Sequence, residues 1–176
     1  TLDVTNNSEI ETAVSSLAGQ SVNLLINNAG LYQSRLDDME SLKAETWLQE
    51  FHVNAIAPFM VTRALRRNLA AADDALVAMI SSKMGSLSDN TSGGAYSYRS
   101  SKAALNAVTV SLAQDLADDG TRVVALHPGW VRTDMGGANA PVDTTQSASG
   151  LRKVMLGIDE SQNGGFFNYT GDAIPW

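Results

Sequence analysis

Four short runs of mostly apolar residues, set among longer amphipathic stretches, are the feature that most constrains the fold of this chain. The runs lie at residues 22–26, 75–81, 122–126 and 165–169, and each is too short for a helix of usual length. Apolar residues with helical spacing lie before and between them, at about 8–17, 44–71, 95–117 and 145–156. Strands that alternate with helices form a parallel sheet covered by helices, so the sequence predicts an α/β fold.

Pro58 interrupts the longest helical stretch, residues 44–71. Because proline lacks an N–H group and clashes with the preceding turn, the sequence predicts a kink at Pro58. Asn54 lies one turn earlier, where helix propensity disfavours asparagine. A hydrogen bond to the backbone at the kink is an ordinary explanation for Asn54.

The composition excludes several classes of function. The chain has no cysteine and two histidines, so disulfides and thiolate chemistry are excluded and no metal site is predicted. A net charge of −7 argues against a surface that binds nucleic acid. No apolar run approaches the roughly 20 residues of a membrane-spanning helix, and the first residues lack the pattern of a secretion signal. We therefore expect a cytoplasmic protein without a membrane partner.

Tyr98 and Lys102 are four residues apart on the predicted helix 95–117 and share one of its faces. A cation near a phenol favours the phenolate, so we expect Lys102 to lower the pKa of Tyr98 from its usual value near 10. Such a tyrosine can accept and donate a proton near neutral pH. An exposed helix pair is the ordinary alternative, because this spacing also arises by chance.

Two adjacent serines, Ser81 and Ser82, end the apolar run at 75–81. They are predicted to lie at the carboxyl end of a buried strand, where ligands bind in open α/β sheets. A serine at this place also commonly caps a turn.

The order of these residues resembles that of the short-chain dehydrogenase/reductase family. The matching motifs run along the whole chain: Asp3-Val4, Asn27-Asn28-Ala29-Gly30, Asn54, Ser82, Tyr98-x-x-x-Lys102 and Pro128-Gly129-x-Val131-x-Thr133. Within that family, three segments are similar to the C-factor and sniffer-type carbonyl reductase branch, namely 93–102, 127–135 and 174–176.

The resemblance implies four catalytic residues. Tyr98 would be the acid/base, and Ser82, preferred by the resemblance over Ser81, would polarise the carbonyl group of the substrate. Lys102 would lower the pKa of Tyr98 and bind the ribose of the cofactor. Asn54 would position a water molecule that relays protons through the lysine. Tyr96 lacks a lysine four residues later and is expected to line the pocket.

The resemblance also implies a nicotinamide cofactor, with NADP favoured and NAD not excluded. The residues that would bind it are Asp3, Val4, Asn28, Ala29, Gly30, Tyr98, Lys102, Pro128, Gly129, Val131 and Thr133. The Val131 amide and the Thr133 hydroxyl would contact the carboxamide. Asp3 would accept a hydrogen bond from the adenine amino group, although an aspartate at this place can equally be a helix cap.

The implied reaction is hydride transfer between the cofactor and a small aldehyde or ketone, in a homodimer or homotetramer. Residues 136–150 have the composition of a loop, so we expect them to cover the substrate as a lid. The alternative is a C-factor-like signalling or interaction protein on the same fold with little or no turnover.

The sequence departs from the family at its start, where no glycine-rich phosphate-binding motif lies ahead of Asp3. We therefore expect residues 1–176 to form one partial domain, the carboxyl-terminal two-thirds of a Rossmann-like, doubly wound parallel sheet. Strand 22–26 would then have an uncovered edge. Activity is expected of the whole protein rather than of this segment alone.

Overall fold

The computed structural model describes residues 2–176 and contains a parallel sheet of four strands. The strands are β1 (Leu24–Asn27), β2 (Ala75–Ile80), β3 (Thr121–His127) and β4 (Phe166–Asn168), and they lie side by side in chain order. In the three parallel pairings, Leu24 lies opposite Leu76, Ala75 opposite Thr121, and Ala125 opposite Phe166. The predicted parallel α/β sheet is confirmed.

Helices connect the strands. They are α1 (Asn7–Ser16), α2 (Ala44–Phe51), α3 (Ala57–Ala64), α4 (Arg66–Ala70), α5 (Tyr96–Asp115) and α6 (Thr144–Gly157). The Asn6 side chain caps α1 by accepting hydrogen bonds from the backbone of Ser8 and Glu9. Gly120, with a φ of +71°, then reverses the chain between α5 and β3. None of the helices in residues 2–176 is long and apolar enough to cross a bilayer.

The stretch 44–71 is not a single helix kinked at Pro58. A π-helical turn over His52–Ile56 separates α2 from α3, and Pro58 lies in the first turn of α3. The backbone stays helical from α2 into α3, with the Ala57 N–H bonded to the His52 carbonyl, and the π-helical turn before Pro58 accommodates the proline. The distortion therefore precedes Pro58 and contains Asn54, which corrects the expected position of the kink.

The sheet separates two layers of helices. Alternate side chains of β2 pack against one layer and then the other. Ala75, Val77 and Met79 pack into a core with α1, α3, α4 and α5. Leu76 and Ala78 face the other way and pack with residues of α6. Alternate residues of a strand point to opposite faces, and both faces of this strand are buried.

β1 is the uncovered edge of the sheet, as the sequence predicts. It pairs with β2 alone in the described chain, and Leu24 and Ile26 are 45% and 44% exposed. An open hollow of about 830 Å³ lies beside it, and Leu151 and Met155 of α6 line its opposite wall. The apolar side chains of β1 on this face therefore border an open space.

Residues 136–150 differ from the predicted lid. Asp143 caps α6 by accepting a hydrogen bond from the Gln146 backbone, and the helix begins at Thr144. Before it, Val142 exchanges backbone hydrogen bonds with the chain at Trp130 and Arg132. Residues 144–150 belong to α6, which confirms the helix predicted at 145–156, because this cap and the apolar contacts of α6 with the sheet fix them. The loop expected over 136–150 is therefore wrong for its last part.

Candidate active site

The carboxyl ends of β1 and β2 bring the predicted catalytic residues together. Lys102 reaches back from α5, and its Nζ atom donates a 2.9 Å hydrogen bond to the carbonyl of Ile80, the last residue of β2. Gly30 follows β1, and a Cβ atom placed on it would lie 3.7 Å from both Asn54 Oδ1 and Lys102 Nζ. The side chains of Asn54 and Lys102 therefore both lie close to Gly30.

Asn54 is fully buried in the π-helical turn and ties two segments together. Its Oδ1 atom accepts a hydrogen bond from the Leu31 N–H, and its Nδ2 atom donates to the Leu31 carbonyl, both at 2.8 Å. Nδ2 also donates to Ser101 Oγ at 2.9 Å. Asn54 thus fixes the chain after the Asn28-Ala29-Gly30 turn to helix α5.

Tyr98 and Lys102 are both buried, with 7% and 3% of their surfaces exposed. The Lys102 ammonium lies 5.9 Å from the centre of the Tyr98 ring. Burial raises the pKa of Tyr98 to about 12, although hydrogen bonding from the Ser82 hydroxyl acts in the opposite direction. Burial also lowers the pKa of Lys102 to about 8. The pKa of Tyr98 is therefore raised in this structure and not lowered as expected, and the loss of water is the main cause.

The two serines after β2 have different surroundings. Ser81 Oγ donates a 2.6 Å hydrogen bond to Asn106 Oδ1, which links Ser81 to helix α5. Ser82 Oγ accepts a 3.2 Å hydrogen bond from the Met84 N–H and adjoins the Tyr98 hydroxyl. Ser82 therefore caps a turn and also adjoins Tyr98, while its contact with a substrate stays a prediction.

Tyr32 is a site residue that the sequence did not reveal. Its ring stacks on that of Tyr98, with the ring centres 4.1 Å apart and the planes inclined by 21°. The signal available in the sequence was an aromatic residue two positions after the Asn-Asn-Ala-Gly turn. Tyr96, by contrast, is 38% exposed and lines a small cavity with Arg99 and Gly94, to which neither Ser82 nor Tyr98 contributes.

The remaining predicted residues form loops at the ends of the strands. Asn28, Ala29 and Gly30 are exposed after β1. Gly129 has a φ of +88°, and a Cβ there would lie 2.9 Å from the Tyr169 ring, so only glycine fits. The other residues of this second loop are fixed to their surroundings: Pro128 accepts from Ser147, Val131 pairs with Val142, and Thr133 Oγ1 accepts from the Gly136 N–H.

Asp3 and Val4 lie near the start of the chain. The Asp3 carboxylate accepts hydrogen bonds from the Thr5 hydroxyl and N–H, which lower the pKa of Asp3. Asn6, rather than Asp3, caps α1. The Val4 side chain is partly buried and packs against the core.

His127, the last residue of β3, is an acid-sensitive group. Its Nδ1 atom is buried and has no hydrogen-bond partner in residues 2–176. Burial, reinforced by the charge of Lys83, lowers the pKa of His127 from 6.5 to about 4. Between these values the unfolded chain binds a proton that the folded chain does not, so the free energy of unfolding falls as the pH falls. We expect a loss of about 2 to 3 kcal/mol by about pH 4.

Urea denaturation near neutral pH and again just above pH 4 measures this loss. The variant His127→Gln lacks the titrating group and should show a smaller decrease over the same interval. The same pH dependence in both proteins would assign the loss to other groups.

The chain is similar in sequence and in fold to known proteins. Residues 1–143 match the family model for short chain dehydrogenase. C-signal of Myxococcus xanthus is 42% identical over 157 residues, which are 88% of this chain and 93% of that protein. The carbonyl reductase Sniffer of D. melanogaster has a TM-score of 0.94 and 35% identity, over 99% of this chain and 76% of that one. The NADPH bound carbonyl reductase from chicken fatty liver has a TM-score of 0.91 and 34% identity, over 99% and 75%.

Proposed function

Because the chain belongs to the short-chain dehydrogenase family, we propose that it is an NADP-dependent oxidoreductase that reduces small aldehydes and ketones with Tyr98 as the acid. One observation carries the proposal. The phenol of Tyr98 holds its proton at neutral pH and adjoins the Ser82 hydroxyl, and Lys102, whose Nζ atom lies 5.9 Å from the centre of the Tyr98 ring, meets Asn54 at Gly30. These groups have separate chemical tasks in the reduction of a carbonyl group.

The residues present fit a nicotinamide cofactor. An ammonium group has three N–H donors, and Lys102 uses one of them, for the Ile80 carbonyl, within residues 2–176. The remaining donors lie next to the Gly30 backbone, where they suit the hydroxyl groups of a ribose. The cofactor would be held by Lys102, Tyr98, Asp3, the backbone of Val4, the first loop (Asn28, Ala29, Gly30) and the second loop (Pro128, Gly129, Val131, Thr133). NADPH is favoured because the similar chicken reductase is NADPH bound.

The bound cofactor supplies the hydride, and this chain's own residues manage the proton. Ser82 donates a hydrogen bond to the substrate oxygen, and Tyr98 transfers its proton to that oxygen. The charge of Lys102 favours the phenolate that remains. Asn54 orders the backbone at Leu31, where a water molecule can return a proton through Lys102. Alcohol oxidation uses the same groups in reverse, beginning from the phenolate.

The two adjacent serines provide a matched test of this arrangement. Ser82→Ala removes a donor from the developing oxyanion and should lower kcat for aldehyde reduction about 100- to 1,000-fold. Ser81→Ala removes a hydroxyl of the same size that bonds to Asn106, so it should lower stability and leave kcat within about twofold. The measurement is NADPH and NADH oxidation with a panel of aldehydes and ketones. Equal losses in the two variants would contradict the assigned role of Ser82.

The signalling alternative requires little or no turnover. It is not favoured, because Asn54, Ser82, Tyr98 and Lys102 are all present and converge on one site. The chain is similar in sequence to C-signal, and all four of these residues are present in it.

We also propose that residues 1–176 form one partial Rossmann-like domain, and that the protein is cytoplasmic and a homodimer or homotetramer. Exposed Trp47, Phe59 and Val110 on α2, α3 and α5 support association between copies, and the cysteine-free sequence suits a reducing compartment. Light scattering of the purified protein measures the number of copies.

A further inference from the structure

Glu50 is fully buried beside the site, and the proton transfer described above does not use it. Glutamates are rarely buried unless they are paired. No cation of residues 2–176 forms a salt bridge with Glu50. Its Oε1 atom accepts a 2.8 Å hydrogen bond from the Ser34 N–H, and its Oε2 atom accepts a 3.1 Å hydrogen bond from Ser34 Oγ. Both carboxylate oxygens of Glu50 thus accept hydrogen bonds from Ser34.

The contact continues to the residue before Tyr98. Ser97 Oγ donates a 2.7 Å hydrogen bond to Ser34 Oγ, and both serines are buried. The chain of hydrogen bonds therefore runs from α2, through Ser34, to the first turn of α5.

Glu50 and Asn54 hold the same segment at two points. They are four residues apart at the junction of α2 and the π-helical turn. Asn54 binds the N–H and the carbonyl of Leu31, while Glu50 binds the N–H and the hydroxyl of Ser34. Tyr32 lies between these two fixed residues, and its ring stacks on Tyr98. The two attachments restrict where Tyr32 can lie.

We propose that Glu50 is a positioning residue for Tyr98, which it holds by fixing Tyr32 and Ser97 through Ser34. This inference rests on the proposed role of Tyr98 as the acid. Tyr32 covers one face of the Tyr98 ring, and Ser97 fixes the backbone from which Tyr98 projects. Small displacements of a reacting group reduce the rate strongly, so a support of this kind affects turnover.

Besides burial, the negative charge of Glu50 also raises the pKa of Tyr98. Burial is the main cause of the raised pKa of Tyr98, and the negative charge of Glu50 adds to it. Both keep the proton on the phenol, which is the form needed for reduction.

Six variants of the whole chain separate this role from a general loss of stability. Glu50→Ala removes both attachments, and Ser34→Ala removes only the hydroxyl contacts and is the milder change. Tyr32→Leu removes the stacked ring, whereas Tyr32→Phe keeps it. Thr109→Val is the matched control, because Thr109 is a fully buried residue of the same helix α5 whose hydroxyl bonds to Leu105. Glu50→Gln is the conservative partner of Glu50→Ala and retains an acceptor for Ser34.

Two measurements are made on each protein. Ring-labelled tyrosine NMR at neutral pH, without cofactor, follows the Tyr98 resonances, which Tyr98→Phe assigns. Steady-state kinetics with NADPH separates kcat from KM. We expect Glu50→Ala, Ser34→Ala and Tyr32→Leu to shift the Tyr98 resonances and to lower kcat about tenfold, with KM changed less than about twofold. Tyr32→Phe and Glu50→Gln should restore most of both, and Thr109→Val should change neither.

Unchanged Tyr98 resonances and kcat in Ser34→Ala and Tyr32→Leu would overturn the proposal, even if Glu50→Ala did not fold. An equal loss in Thr109→Val would also overturn it, because the effect would then be one of stability. The NMR measurement does not depend on turnover. If the wild-type protein reduced no carbonyl compound, the proposed function would fail while the resonances still tested the attachment of Tyr32.

Discussion

Replacing Tyr98 with phenylalanine is expected to lower kcat for carbonyl reduction about 1,000- to 10,000-fold. The change removes the proton that reaches the substrate oxygen and leaves Ser82 and Lys102 in place. Phenylalanine keeps the ring that packs against Tyr32, so the free energy of unfolding should change by less than about 1 kcal/mol. The spectrophotometric loss of NADPH measures the rate, and urea denaturation measures the stability.

Tyr96→Phe is the matched control for this variant. It removes the same hydroxyl from the same helix, but Tyr96 is 38% exposed and has Ser100 where Tyr98 has Lys102. Its kcat should stay within about twofold of wild type. Equal turnover by wild type and Tyr98→Phe would show that another group supplies the proton.

Replacing Gly85 with alanine is expected to lower the free energy of unfolding by about 3 kcal/mol. Gly85 lies in the short turn after Ser82, and a Cβ there would lie 2.7 Å from the Lys102 carbonyl carbon and 3.0 Å from the Ala103 nitrogen. Both are backbone atoms of α5 and cannot rotate away. The turn or the helix must move, and Lys102 or Ser82 moves with it. Activity should therefore fall together with stability.

Gly157→Ala provides the comparison for Gly85→Ala. Gly157 is the last residue of α6, and no atom lies within 4 Å of a Cβ placed on it. Alanine should be neutral there or stabilise the helix by up to about 1 kcal/mol. Urea denaturation of both variants checks the pair. A similar stability for the two would mean that the turn at Gly85 yields without cost.

The sequence predicts the sheet and the main helices because periodicity reports which residues are buried. All four predicted strands occur, at Leu24–Asn27, Ala75–Ile80, Thr121–His127 and Phe166–Asn168. The motifs also predict four catalytic residues, of which Ser82 follows β2, Asn54 lies in the π-helical turn, and Tyr98 and Lys102 lie on α5. The predicted helix at 145–156 agrees with α6 to within one residue at each end, whereas the π-helical turn was not predictable from local spacing.

The environment of the site could not be obtained from spacing alone. The separation of Tyr98 and Lys102 shows that they are neighbours, but the direction of the Tyr98 pKa depends on how much water both have lost. Tyr32 stacks on Tyr98, and Glu50 binds Ser34, although these residues are far apart in the chain. No local sequence pattern indicates such contacts. A glutamate on the apolar side of a predicted helix, four residues before Asn54, was the available signal.

The parallel order of the sheet has a consequence for how the protein reaches its native state. The paired residues Leu24 and Leu76, Ala75 and Thr121, and Ala125 and Phe166 are 52, 46 and 41 positions apart in the chain. Each pairing closes a long loop before its contacts can stabilise it, so folding is slow compared with that of a helical protein of this size. The predicted cofactor loops follow β1 and β3, so they meet the segment that carries Ser82, Tyr98 and Lys102 only after these distant pairings have formed.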